Sequence, residues 1–471
     1  MAKQGTIKSI IEVFISNIFT VIAGIVVGFI IPKVLSVDGY GYYKTFTLYI
    51  TYVGFFSLGI IDGIVLEFGG HDYELYDKGF FRSVFRWYLV IHFLWISVLL
   101  LLSILWHDSN YSYIIMMIAI YMLFFNTVGY FQQISQITQR FKEYSIAKAI
   151  QSVMKILGGL IMVAIYYITK DTVDYRIYIG LTTLGFFFVM VGYLWIYKEI
   201  IFGRADSFTS TKPNVIHYSK IGFPLLFANL CSTLILTLDR QFVNLLFTNA
   251  EYAIYAFAYN LLSLITVATS AISTVLYPVM KRLDESSLCK GYDYLIGTLC
   301  AFVYGTITVY FPLCAIIQRF LPKYIGSLMI FRVIFPGLSI SSTITVIMHN
   351  YYKTLGDNLS YFKKSILILL LSALANGIAY TIFKSTISIS AASIVTMIIW
   401  YIYIEQYFVK RYEYNRWNNL IYMLLMMASF YAVTSISSLL ISGFLYFIIF
   451  IVVTYIMQRK NIHFAKSILG K

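Results

Sequence analysis

The sequence predicts an all-α polytopic membrane protein with about fourteen transmembrane helices. Hydrophobic residues make up 60% of the 471 residues, charged residues only 12%, and the mean hydropathy is +0.78. Soluble domains are about 45–50% apolar and about 25% charged. Apolar segments recur along the whole chain and are separated by short, mostly basic loops. This organisation favours proteins that act inside a bilayer and disfavours soluble enzymes and binding modules.

Each predicted span is long enough to cross a bilayer, because about 20 apolar residues span the ~30 Å hydrocarbon core. The last two spans are separated only by a tight turn near Ser442 and Gly443, so the expected number is thirteen or fourteen. The first span is too long for the core of a signal peptide, and we expect it to stay as an uncleaved helix. The predicted spans are 10–31, 45–66, 84–106, 113–134, 149–168, 176–197, 218–247, 253–280, 294–317, 327–349, 364–383, 387–409, 418–439 and 442–458.

The loops predict the orientation. With a cytoplasmic N-terminus, 25 of the 35 lysines and arginines lie on the cytoplasmic side, seven lie on the opposite side, and three lie inside spans. Because cytoplasmic loops are enriched in Lys and Arg, both termini are predicted to be cytoplasmic, in a bacterial cytoplasmic (inner) membrane. The same loops account for most of the net charge of +14, so a nucleic-acid partner is not expected.

The sequence predicts neither a metal site nor an organic cofactor. The four cysteines form no CxxC pair and have no histidine at metal-ligand spacing, so they are interpreted as free thiols. No G-x-x-x-x-G-K-[ST] sequence is present, so this chain is not expected to use ATP itself. A coupling proton or sodium ion is the only expected cofactor.

A shift of 212 residues lays the first six spans over the next six. An even number of spans per half makes the two halves parallel. The predicted domains are therefore 1–212, a first six-helix bundle; 213–415, a second one; and 416–471, an extra helix pair with a basic tail.

Two segments carry a resemblance to a known family. Val37–Gly69 reads VDGYGYYKTFTLYITYVGFFSLGIIDGIVLEFG, a G-x-Y-G-x-Y turn followed by a span with an LG(I/L)…G run. Phe223–Met280 contains a proline near its start, the Asp-Arg pair, the YAIYAFAY turn and a closing Tyr-Pro. Together they resemble the polysaccharide-repeat flippases of the multidrug/oligosaccharidyl-lipid/polysaccharide exporter superfamily.

The resemblance implies a transporter, not an enzyme, that flips an undecaprenyl-diphosphate-linked oligosaccharide from the cytoplasmic to the outer leaflet by alternating access. The lipid-linked oligosaccharide and the membrane are the expected partners, with polysaccharide polymerase machinery as a further candidate for O-antigen or capsule assembly. Fourteen helices are more like the lipid-substrate branches than the twelve-helix drug exporters. In the peptidoglycan-precursor branch, the two extra helices help to form a lipid-facing groove.

The three cations inside spans are Lys155, Arg240 and Arg332. A charge at the bilayer centre costs at least ~2.5–3.5 kcal/mol, so it is retained where it faces water or a partner. Arg240 is predicted to hold the diphosphate or an acidic sugar, since guanidinium binds phosphate in a bidentate fork; the alternative is a structural pair with Asp239. Lys155 and Arg332 are further candidates, although either is close enough to a span end to reach the interface.

Polar residues inside the spans are candidates for contacts with sugar hydroxyls in a wet cavity, and interhelical hydrogen bonding explains them equally well. Asp62 and Glu12 are the candidates for binding a coupling ion, against the alternative of interfacial carboxylates. The predicted polar-cavity residues are Asp239, Asn17, Asn229, Gln132 and Asn260.

Two other functions fit part of the pattern. A drug or cation antiporter of the same superfamily requires a cavity dominated by carboxylates. A membrane glycosyltransferase or polymerase usually carries a sizeable external loop with catalytic residues, and the external loops here are short. Cations with few facing carboxylates favour an anionic lipid diphosphate.

Overall fold

The computed structural model describes residues 19–20, 22–69, 73–281, 283–415 and 417–469. Helices account for nearly all regular structure in these ranges, and the only pairing of extended backbone described there is an isolated bridge between Leu35 and Val173. The predicted all-α membrane fold is confirmed. The residues group into two compact units, Met1–Leu230 and Cys231–Lys471. The boundary falls inside one long helix, and the predicted domain limits at 212 and 415 stay a prediction.

In the part of the first unit that the structure describes, there are seven α-helices and the start of an eighth. They are α1 (Ile22–Val34), α2 (Val37–Ile50), α3 (Ile60–Phe68), α4 (Lys78–Leu105), α5 (Ser109–Ile137), α6 (Phe141–Thr169), α7 (Tyr175–Ile196) and the part of α8 (Phe208–Leu246) that ends at Leu230.

The second unit contains the rest of α8 and ten further helices. They are α9 (Asn249–Met280), α10 (Glu285–Ile307), α11 (Tyr310–Phe320), α12 (Ser327–Ile334), α13 (Leu338–Ser342), α14 (His349–Thr354), α15 (Asn358–Phe383), α16 (Thr386–Tyr412), α17 (Trp417–Val433) and α18 (Leu439–Leu469). A π-helical segment, Thr343–Met348, joins α13 to α14.

Every predicted span overlaps one of these helices, but not all helices meet the length and hydropathy that a simple span requires. Ten described helical segments do so, or eleven if the bent pair Val37–Ser57 and Ile60–Phe68 forms one span. Ile22–Val34 and Trp417–Val433 are apolar but shorter. The predicted number of fourteen is therefore not confirmed, whereas a multi-pass membrane protein is.

Local sequence explains where several helices begin. The carboxylates of Asp77, Asp108 and Asp174 each accept hydrogen bonds from backbone N–H groups in the first turn of α4, α5 and α7. Such caps satisfy donors that have no partner within the helix. Large apolar side chains such as Leu102, Ile104 and Leu105 remain exposed on the helix surfaces, as expected of faces that contact lipid.

The 212-residue repeat is visible in the helix limits. Val34 and Leu246 each end a helix, and Val37 and Asn249 each begin the next one. In both pairs the two positions are 212 residues apart. The two units therefore place corresponding residues at corresponding points of their first two helices.

The second predicted span is broken. Its parts, Val37–Ser57 and Ile60–Phe68, meet at 57°, and Leu58 and Gly59 between them have left-handed φ values of 53° and 78°. Because carbonyls freed at a break need new donors inside a membrane, neighbouring side chains supply them. Asn126 Nδ2 donates to the Val53 carbonyl at 2.8 Å, and the Ser219 hydroxyl donates to the Leu58 carbonyl at 2.6 Å.

Three glycines let the broken span pack directly against the backbone of α8. A Cβ at Gly222 would lie 2.0 Å from the Gly59 carbonyl oxygen, and one at Gly63 would lie 2.1 Å from the Tyr218 carbonyl oxygen. Small residues allow such close approach of membrane helices.

The extra helix pair is joined to α10 by a buried polar network. Asn419 Nδ2 donates to Asp293 Oδ1 at 2.6 Å, and Gln458 Nε2 donates to Asn419 Oδ1 at 3.1 Å. Asn419 and Gln458 are fully buried. A satisfied polar network specifies one arrangement of the helices that share it, so α17 and α18 are fixed to the second unit.

We expect Gly222→Ala to destabilise the protein strongly, because the added methyl group overlaps backbone that cannot move aside. Overpacking typically costs about 1–3 kcal/mol, and backbone clashes cost more. Thermal unfolding of the purified protein in detergent measures the effect. Gly129→Ala is the matched control, since no atom lies within 4 Å of the added Cβ; equal stability of the two variants would contradict the close packing.

Candidate functional site

Arg240 lies on α8 within the second unit, and its guanidinium is incompletely neutralised by the protein. Nη2 donates to the Leu236 carbonyl at 2.7 Å, and the guanidinium carbon lies 4.4 Å from the centre of the Tyr259 ring. Nε is 4.0 Å from Asp239 Oδ1 and has no hydrogen-bond partner in the described part of the chain. The side chain remains 26% exposed, so it keeps donors for a ligand.

The Asp239 carboxylate does not form a close ion pair with the Arg240 guanidinium. It is 2% exposed, and its Oδ2 accepts hydrogen bonds from Tyr255, at 2.8 Å, and from Tyr259. Oδ1 accepts the backbone N–H of Arg240 at 2.7 Å. Hydrogen bonds to a carboxylate are charge-assisted and therefore strong. The hydroxyls of Tyr255 and Tyr259 stabilise the negative charge of Asp239. Tyr259 thus contacts two charged groups, the carboxylate with its hydroxyl and the guanidinium with its ring.

The Arg240 side chain borders a cavity of about 340 Å³ in the second unit. Its remaining walls are hydroxyl groups and apolar side chains, without an aspartate or glutamate. Such a mixture of apolar surface and a few polar groups is typical of small-molecule sites. We call it the Arg240 cavity; it is lined by Leu236, Arg240, Tyr259, Leu262, Ser263, Thr266, Thr269, Ser273, Ser341, Ser342, Thr345, Val346 and Met397.

A second cavity, of about 300 Å³, lies within the first unit. Among the described residues, Lys155 is its one charged lining residue, and the Lys155 side chain is exposed. Aromatic rings, aliphatic side chains, hydroxyls, two glycines and one amide form the rest of the described wall. We call it the Lys155 cavity; it is lined by Thr20, Tyr43, Thr47, Ile50, Tyr121, Gln151, Ser152, Met154, Lys155, Gly158, Tyr178, Leu181, Thr182, Gly185 and Phe186.

Arg332, the third predicted cation, lines neither cavity. Its Nε donates to the Thr434 hydroxyl at 2.9 Å, and Nη2 donates to the Tyr431 carbonyl at 3.0 Å and to the Ser435 hydroxyl at 2.7 Å. These groups lie at the end of α17, where a cation also favours the helix dipole. Arg332 therefore caps a helix of the extra pair, and the substrate role predicted for it has no support in these contacts.

The predicted polar residues are dispersed. Gln132 lies on α5 and Asn229 on the first-unit part of α8, while Asn260 follows Tyr259 on α9; none of them lines either cavity. Asp62 is half-buried in the first turn of α3, just after the break in the second span. Asn17 and Glu12 lie outside the described residues.

His92 on α4 and Asn126 on α5 form a buried polar pair. Asn126 Nδ2 lies 2.8 Å from His92 Nε2, and His92 Nδ1 lies 2.8 Å from the Tyr88 carbonyl oxygen. Since a carbonyl only accepts, Nδ1 carries the proton and Nε2 accepts from Asn126. The pair braces α4, α5 and the broken second span; spacing alone gives no signal for such contacts between distant segments.

The described residues contain no cluster of three or more His, Cys, Asp or Glu side chains that could hold a metal ion. Cavities with one cation and many hydroxyls suit an anionic, hydroxyl-rich ligand better than a cation.

Comparison with models of protein families shows which family this chain belongs to. The model of the family described as "polysaccharide biosynthesis protein" matches residues 6–284, more than half of the chain. This chain belongs to that family. No curated protein matches the sequence significantly.

Solved structures show the same fold in transporters at low sequence identity. A lipid II flippase, MurJ, in an inward closed conformation is similar with a TM-score of 0.73 and 14% identity, over 96% of this chain and 100% of that chain. An inward-facing multidrug resistance MATE family transporter of the MOP superfamily is similar with a TM-score of 0.62 and 11% identity, over 84% and 94%. A MOP superfamily transporter from Pyrococcus furiosus with a binding pocket of reverse polarity gives 0.54 and 9%, over 87% and 97%. This member of the polysaccharide biosynthesis family thus has the fold of these transporters.

We expect Arg332→Gln to lower stability by about 1–3 kcal/mol, because it removes charge-assisted hydrogen bonds to the end of α17. Thermal unfolding in detergent is the measurement. Arg319→Gln, an exposed arginine, is the control. An unchanged unfolding temperature combined with lost transport would instead indicate that Arg332 contacts substrate.

Proposed function

We propose that this protein flips undecaprenyl-diphosphate-linked polysaccharide repeat units from the cytoplasmic to the outer leaflet. The supporting observation is the Arg240 cavity, in which one guanidinium with unused donors faces a hydroxyl-lined space. A planar guanidinium fork matches phosphate oxygens. Family membership and the shared fold support a substrate linked to polysaccharide synthesis.

The charges lining the two cavities favour an anionic substrate over a cationic drug. Among the described residues, each cavity is lined by one cation and by no aspartate or glutamate. Asp239 is the nearest carboxylate to Arg240, and two tyrosine hydroxyls hold it. A site for cations would need an accessible carboxylate to offset the cost of removing the ligand from water.

Alternating access between the two units is the mechanism we propose. The broken second span supplies a bend within the first unit, and Asp62 beside it is the candidate for binding a coupling proton or sodium ion. Glu12 remains the second candidate. We further propose that the protein resides in the bacterial cytoplasmic membrane and delivers its product to polymerase machinery.

We expect Arg240→Gln to reduce apparent substrate affinity about 10- to 100-fold, since a hydrogen bond to a charged group contributes ~1.5–3 kcal/mol. Arg240→Lys should retain part of the activity because it keeps the charge without the fork, and Arg240→Glu should abolish it. The measurement is flipping of fluorescent undecaprenyl-diphosphate-linked saccharide in proteoliposomes, together with surface polysaccharide in cells.

Protein amount in the membrane is quantified for each Arg240 variant, so that loss of folding is not mistaken for loss of binding. Arg319→Gln is the matched control for removal of an exposed arginine. Full activity of Arg240→Glu would overturn the assigned role. Efflux of cationic dyes that persists in the Gln variant would favour the drug antiporter.

Cysteine labelling tests the proposed topology. In a variant lacking the four native cysteines, Asp171→Cys should react with an impermeant maleimide added to intact spheroplasts, while Glu413→Cys should react only after permeabilisation. Both side chains are exposed. The opposite pattern would reverse the proposed orientation of the termini.

A further inference from the structure

We propose that the Lys155 cavity is a separate saccharide pocket that holds one sugar ring of the substrate and prefers a ring carrying a carboxylate. This inference rests on the proposed function, which assigns the diphosphate to the Arg240 cavity. It gives the first unit a recognition role that the second unit does not share.

Aromatic rings form much of the cavity wall. Tyr43, Tyr121 and Tyr178 line it, and the centres of the Tyr43 and Tyr178 rings are 4.9 Å apart in an edge-to-face arrangement. All three side chains are buried, with exposures of 9%, 3% and 1%. They therefore do not belong to the interfacial belt of tyrosines. The C–H face of a pyranose packs against such rings as an apolar surface.

Two polar side chains of different type line the same space. The Tyr121 phenol and the Gln151 amide both belong to the cavity wall. A phenol and an amide can each donate and accept hydrogen bonds. A sugar ring, with several hydroxyls that both donate and accept, matches these groups.

Two of the lining hydroxyls, those of Thr47 and Thr182, are directed as acceptors. Thr47 donates to the Lys44 carbonyl at 2.9 Å, and Thr182 donates to the Tyr178 carbonyl at 2.8 Å. Since each hydroxyl has used its hydrogen within its own helix, its oxygen lone pairs are left for a ligand donor. The wall thus offers acceptors, a phenol and an amide, a combination that suits neutral hydroxyls rather than phosphate.

The internal repeat shows that the two cavities carry different cations at positions that do not correspond. Val27 and Gly28 correspond to Asp239 and Arg240 at the 212-residue spacing, so the first unit has no guanidinium at that place. Conversely, Leu367 corresponds to Lys155. A lysine ammonium is a point charge on a flexible stem and pairs well with a single carboxylate, whereas the arginine fork suits phosphate.

The size of the cavity limits its occupant. About 300 Å³ is at the lower end of the range of ligand pockets. It suits one ring rather than a whole oligosaccharide.

The test measures binding of soluble sugars, which does not depend on flipping. Methyl α-D-glucuronide and methyl α-D-glucoside are the probes, and saturation-transfer NMR with the full-length protein in detergent is the method. We expect the glucuronide to bind about tenfold more tightly, the size of one charge-assisted hydrogen bond. Lys155→Met should abolish this preference, and Lys142→Met, an exposed lysine of the same helix, should preserve it.

Tyr121→Phe and Gln151→Leu test the pocket itself, because both conserve volume and remove one polar group. Each should weaken both sugars at least fivefold while the size-exclusion profile stays unchanged. No binding of either sugar, or binding that both variants leave intact, would overturn the pocket. A glucuronide preference that survives Lys155→Met would overturn the role of Lys155. Sugar binding by a wild-type protein that flips no undecaprenyl-diphosphate-linked saccharide would refute the proposed function alone.

Discussion

The absence of hydrogen-bond partners in the hydrocarbon core is the constraint on which the rest of this structure depends. Every described backbone segment at membrane depth is helical, and where the second span breaks, Asn126 and Ser219 supply the missing donors. Under this constraint, a buried polar group without a hydrogen-bond partner costs free energy of folding. The Nε of Arg240 is therefore informative, because it has no hydrogen-bond partner among the described residues and its side chain borders a cavity.

The two units share the 212-residue repeat, but the residues at corresponding positions differ in chemical type. Their first two helices end and begin at positions 212 residues apart, which fixes similar frameworks. One unit places Asp239 and Arg240 where the other has Val27 and Gly28, and the other has Lys155 instead. A duplicated framework with different side chains can bind two unlike parts of one amphipathic molecule. The reverse-polarity pocket of one structural neighbour shows that the charge of a binding pocket also varies among proteins with this fold.

Three intramembrane cations that looked equivalent along the chain have different environments. Arg332 donates to the end of α17 and stabilises the extra pair, while Arg240 contacts a tyrosine ring and borders a cavity. The difference arises from residues about 100 positions away, Tyr431, Thr434 and Ser435, which span order alone does not bring together. Likewise, Asp239 neutralises Arg240 less than its adjacency suggests, because Tyr255 and Tyr259 hold its carboxylate.

The sequence by itself determined the membrane class and the helical fold, and it singled out Arg240 and Lys155 as candidates. These follow from hydropathy and from the cost of a charge in hydrocarbon, which are properties of local composition. Tertiary structure decided which polar residues share a space. Gln132, Asn229 and Asn260 lie outside both cavities, whereas Tyr121 and Gln151 gain a candidate role only through the helices that surround them. The physical reason is that a cavity is formed by side chains from several helices, and helix packing, not chain order, brings those side chains together.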